Sequence, residues 1–88
     1  MRGKPTDVTL AFDRVTTAWA KDRQWHPSQQ VTISKDSCMI MTLRVVDTRE
    51  LEGWILHFGS GVRVLRAESL REKIKEEARK FFRRRDNE

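Results

Sequence analysis

The chain has few of the residues from which reactive or cross-linked sites are built. It contains one cysteine, Cys38, and two histidines, His26 and His57. A lone thiol excludes an internal disulfide and finds no second thiol for a metal site, which fits a reducing compartment. Two isolated imidazoles and one thiol do not make a zinc ligand set, so neither metal nor cofactor is expected. Apolar runs are only a few residues long, far short of the roughly 20 that a membrane-spanning helix needs. Met1-Arg2-Gly3-Lys4-Pro5 carries charge with no apolar stretch behind it and does not read as a secretory leader. A cytoplasmic protein without membrane contact is the expectation.

What is present suits one small domain. Eighty-eight residues leave no room for a second core, and 38% hydrophobic with 35% charged residues is a globular balance once the apolar positions fall into periodic clusters. Residues 1–5 read as a disordered lead, 6–82 as the domain and 83–88 as a charged tail. The net charge is +5 and the isoelectric point about 10.0. Much of the excess lies between Arg71 and Arg85, with eight Lys/Arg against three Glu. Two readings stand side by side: a solvated helix face that frays, or a phosphate-contacting edge with salt-dependent, sequence-independent affinity.

Periodicity supplies an architecture. Val8, Leu10 and Phe12 alternate as a strand with one oily face. Asp13 suits a helix N-cap, and Val15, Ala18 and Trp19 recur at helical spacing to about Arg23, with Pro27 beyond the stop. Val31 and Ile33 give the inward side of a second strand, Lys35-Asp36-Ser37 a polar turn, and Met39, Met41, Leu43 and Val45 a third strand closing a hairpin. Asp47 and Glu50 have the spacing of an acidic capping box. After it, Leu51, Trp54, Ile55 and Phe58 stripe one helix face, which Gly59 ends in a left-handed conformation. Val62 and Val64 form a fourth strand, and a last helix from about Glu68 carries Leu70, Ile74, Ala78, Phe81 and Phe82 on one side. The order βαββαβ plus a C-terminal helix closes as an α+β, ferredoxin-like sandwich. Its second sheet face would present Thr9, Ala11, Thr32, Ser34, Ile40, Thr42, Arg44, Arg63 and Leu65, to be solvated, covered by the last helix or used by a partner.

Candidate chemistry is sparse. His26 has no acidic residue near it in sequence, and no serine or cysteine has a nucleophile setting, so a turn-forming histidine is the better reading and no enzyme is expected. His57 is a boundary residue on an apolar helix. Gly59-Ser60-Gly61 precedes a strand rather than opening a helix, which makes it a connector and not a phosphate loop. Trp25 and Trp54 read as an anchor and a core residue, with a base-stacking platform as the rival. Arg44, Arg63, Lys73, Lys75, Arg79, Lys80, Arg83, Arg84 and Arg85 are the candidate phosphate contacts.

The segments Arg23-Gln24-Trp25-His26-Pro27-Ser28-Gln29 and Leu51-Glu52-Gly53-Trp54-Ile55-Leu56-His57-Phe58-Gly59 occur in order with Val62-Arg63-Val64-Leu65 and Ser69-Leu70-Arg71. Together, from about Thr6 to about Lys80, they resemble the C-terminal extension (WCX) domain of WYL-domain bacterial transcription regulators. The resemblance implies a ferredoxin-like fold in which Trp25, His26, Pro27, Trp54, Gly59, Leu70 and Arg71 define the structure. It also implies a WYL and a helix-turn-helix domain in the same parent chain, a homodimer, and DNA bound through the helix-turn-helix. Effectors in that family include single-stranded DNA, so a single-stranded nucleic acid is a candidate effector. Two rivals remain: an autonomous RNA-binding module and an ACT-like small-molecule sensor. The first needs stacking aromatics on the exposed faces of strands one and three, where Thr9, Ala11, Ile40, Thr42 and Arg44 stand. Fold alone does not separate the second.

Overall fold

The computed structural model describes residues 4–46 and 49–86, with side chains described as far as residue 80. The elements run β1 (Thr6–Phe12), α1 (Arg14–Ala20), β2 (Gln30–Ile33), β3 (Met39–Val45), α2 (Arg49–His57), a 3-10 turn (Gly59–Gly61), β4 (Val62–Arg66) and α3 (Glu68–Asp86). The sheet order is β2-β3-β1-β4, and every neighbouring pair is antiparallel. This is the α+β, ferredoxin-like arrangement that the element order implies.

Alternation does most of the work in the centre. The β1–β3 register sets Val8 opposite Leu43, Leu10 opposite Met41 and Phe12 opposite Met39. All six side chains are buried, since period-two spacing sends them to one face. Ala20, Ile55, Phe58, Val64 and Leu70 close over them, so all three helices contribute to one core. The hairpin between β2 and β3 turns at Lys35-Asp36-Ser37: Ser34 N–H donates to the Cys38 carbonyl at 2.8 Å. Ser37 takes the left-handed conformation at φ 66°. Gly59, at φ 61°, ends α2 as its position after the apolar stripe predicts.

Two expectations about the core are corrected. The apolar residues of α1 do not face inward: Val15 is 76% exposed and Trp19 50%, while Thr16, Thr17 and Ala20 are buried. Helix α1 is only seven residues long and ends at Ala20, not near Arg23. Its first turn is held tightly. The Asp13 carboxylate accepts from the Thr16 N–H at 2.8 Å, and the Asp13 N–H donates to the Gly61 carbonyl at 2.9 Å. Thr16 occupies the space where a Cβ on Gly61 would stand. An approach this close admits only small side chains beneath the helix, which turns Val15 outward and leaves Trp19 on the flank. Val31 and Ile33 are likewise partly exposed, at 36% and 47%. They lie on the edge strand β2, and α1 is too short to cover it. Ile33 instead lines a shallow cavity with Arg14, Thr17, Ala18 and Lys21.

The proposed capping pair falls partly outside the described residues, which exclude Asp47. So do the side chains of Phe81 and Phe82. Helix α3 takes in residues 83–86 by its backbone, and Leu70 and Ile74 pack from it onto the core.

Candidate functional site

The outer sheet face is left uncovered by the described residues. Ile40 and Leu65 are exposed there, and α3 does not lie across it. Of the three fates considered for this face, cover by the last helix is therefore overturned. Thr9 pairs with Thr42, Ala11 with Ile40 and Asp7 with Arg44 across β1 and β3, so these side chains share the outer face. No aromatic residue is among them.

A register shift adds one residue that strict alternation hides. On the β4 side Leu10 pairs with Val64, but Thr9 pairs with Arg66. One extra residue is accommodated at Leu65, a bulge that re-aims the strand end. Arg66 thereby joins Asp7, Thr9, Gln30, Thr42 and Arg44 around a shallow polar groove. Simple alternation from Arg63 would have sent Arg66 inward. The one available signal was the cost of burying an unpaired guanidinium.

Charge on this face is partly committed. Arg44 donates to the Asp7 carboxylate at 3.1 Å, with both side chains well exposed. Such a pair contributes about 0–1 kcal/mol and mainly cancels charge. Arg63 and Arg66 have no acidic partner among the described residues. Along α3, Lys75 pairs with Glu72 at 4.0 Å, Arg79 with Glu76 at 2.6 Å and Lys80 with Glu77 at 3.6 Å. Lys73 is exposed on the same helix and engaged in an interaction of its own. The side chains of Arg83, Arg84 and Arg85 lie outside the described residues. Of the cations selected from sequence, the structure thus brings Arg44 and Arg63 onto one sheet face and leaves those of α3 apart, largely answered by their own glutamates.

The Trp25–Gln29 segment is tied down by its own side chains. Gln29 Oε1 accepts from the Trp25 and His26 N–H groups at 2.7 and 3.3 Å, and its Nε2 donates to the Arg23 carbonyl at 3.1 Å. The Trp25 indole N–H donates to the Ala20 carbonyl at 3.0 Å. His26 Nδ1 accepts from the Ser28 N–H at 3.0 Å and lies 2.8 Å from the Ser28 hydroxyl. That hydroxyl also accepts from the Arg44 N–H at 2.9 Å, pinning the loop to β3. Ser28 and His26 are thus adjacent, yet the hydroxyl is engaged by backbone rather than freed for attack. Pro27 is exposed at the turn.

Phe58 is the hub of an aromatic cluster. Its ring lies 5.1 Å from Phe12, 5.2 Å from Trp54, 5.3 Å from Trp19 and 5.7 Å from Trp25, centroid to centroid. Trp25 and Trp54 are themselves 5.7 Å apart. Both are half-buried, and they line an apolar cavity of about 430 Å³ with Leu43, Val45, Val46 and Leu51. The two tryptophans therefore close one end of the core. Among the described residues no cluster of three or more His, Cys, Asp or Glu is placed to hold a metal ion. No helix among them is long and apolar enough to cross a membrane.

A family model described as WCX domain matches residues 4–82. No curated protein matches the chain.

Proposed function

Because the chain belongs to the WCX domain family, the C-terminal domain associated with WYL regulators, we propose that it is the accessory, regulatory end of a bacterial helix-turn-helix transcription regulator. In that parent it acts in the cytoplasm, supports homodimerisation and helps the WYL domain sense an effector, with DNA bound through the helix-turn-helix. The effector class best matched to this surface is a single-stranded nucleic acid.

The observation that carries the reading is the uncovered sheet face bearing Arg63 and Arg66 without acidic partners and with no aromatic beside them. Guanidinium groups without stacking platforms supply phosphate attraction but no base recognition. Such a surface adds to binding by a neighbouring domain through effective concentration rather than binding strongly alone. An autonomous RNA-recognition module is disfavoured by the same composition. We further propose that the domain is not an enzyme, because His26 and Ser28 are bound up in holding their own turn.

Titration of the 88-residue chain with single-stranded DNA and RNA at low and physiological salt tests this. Binding at the micromolar level or weaker, indifferent to sequence and erased by salt, is the expected result. Tight, sequence-selective binding that persists at physiological salt would defeat the accessory reading.

A further inference from the structure

Strand β4 ends the sheet, pairing with β1 on one side only. The backbone groups directed away from β1 find no hydrogen-bond partner among the described residues. Along this edge runs a groove of about 400 Å³ touched by four consecutive β4 residues, Val62 to Leu65, and by α2 and α3. Its lining combines aliphatic side chains, from Ile55, Leu56, Val62 and Ile74, with cationic ones, from Arg63, Arg71 and Lys75. Two of its lining residues, Leu65 and Leu56, are 51% and 37% exposed. Arg63 and Arg71 have no acidic partner among the described residues, and Lys75 only the distant Glu72 at 4.0 Å.

We propose that the free edge of β4 binds an extended acidic peptide segment of a partner protein by strand addition, with alternate apolar side chains entering the groove below α3. Open edges are templates for another strand, whose main chain supplies affinity while alternate side chains supply specificity. Charge selects the occupant. A second copy joined edge to edge would bring two sets of Arg63, Arg71 and Lys75 to one seam, an accumulation of like charge that opposes pairing. The groups that keep copies apart attract carboxylates. A nucleic acid is a poorer fit, because the groove has an aliphatic and cationic lining with no ring for bases to stack on and a peptide edge for which bases are no match. The bulge at Leu65 confines the pairing to the first part of the strand.

A labelled peptide of about eight residues alternating valine and glutamate, long enough for one strand, provides the probe. Its anisotropy is followed at low and physiological salt, and amide exchange of β4 is read in parallel. The peptide is expected to bind, more weakly as salt rises, and to slow exchange at Val62–Leu65. The same peptide with lysine for glutamate, or with a central proline that removes a backbone donor, is expected not to bind. Arg63→Glu with Arg71→Glu should weaken the acidic peptide by at least about tenfold and favour the lysine peptide. The proline comparison leaves the protein unaltered and so remains decisive if the double variant folds poorly. Equal binding of acidic and basic peptides, indifference to the proline, or exchange at β4 slowed only by a single-stranded oligonucleotide or by raised protein concentration would overturn the proposal.

Discussion

Asp13 shows how one side chain carries a fold decision. Its carboxylate caps α1 through the Thr16 N–H, and that hydrogen bond, with a second to the Thr16 side chain, holds its pKa below the ordinary carboxylate range. A depressed pKa means that the folded state favours the charged form. The contribution is complete above the unfolded value, about 3.9, and disappears as pH falls through the folded value. Asn retains the capping geometry without the charge. The urea midpoint of Asp13→Asn should therefore lie below that of the parent at neutral pH, and the difference should close as the medium is made acidic. A gap that stays constant to low pH would show that the charge of the cap is irrelevant. Arg66 teaches the opposite lesson at the same scale: a one-residue bulge reassigns it, and no local pattern announces it.

At the scale of elements, α1 is positioned by its neighbours more than by its own amphipathicity. The spacing of Val15, Ala18 and Trp19 marks an apolar face, yet the helix buries the threonines beside them. The reason is the close approach at Gly61, where Thr16 fills the space of the absent Cβ. Gly61→Ala should accordingly force α1 off its seat and cost about 1–3 kcal/mol. Removing the obstructing hydroxyl with Thr16→Ala, which leaves only the Thr16 Cβ close by, should recover part of that loss. Chemical denaturation of both single variants and the double variant gives the coupling directly. Additive costs would mean that the contact does not position the helix. Helix α2 behaves otherwise, since its longer stripe and the glycine stop lie where periodicity places them.

In the molecule as a whole, a small core makes individual aromatics count heavily. A domain of this size has a stability of only a few kcal/mol. Phe58 is buried and meets rings from β1, α1, the Trp25 loop and α2. Phe58→Ala should cost about 3–5 kcal/mol, near the entire stability. Trp54, half-buried at the rim of a cavity, should cost less when cut to alanine. Thermal melts of the two variants check the order, and a larger loss at Trp54 would contradict the placement of the hub.

The sequence by itself determined the element order, the inward faces of β1 and β3, the stripe of α2 and the two turns at Ser37 and Gly59. Each of these depends on contacts within a few residues or on strict alternation, and so leaves a periodic trace. Its tryptophan-centred segments also carried the family, matched over residues 4–82. The candidate site was legible only in part. Alternation found Arg44 and Arg63, but it did not disclose the Asp7 partner of Arg44, the outward turn of Arg66 or the ion pairs along α3. Tertiary structure alone decided those, together with the exposure of Val15, Trp19, Val31 and Ile33. Burial and charge compensation are set by which chain segments meet, and segments distant in sequence meet only when the sheet closes.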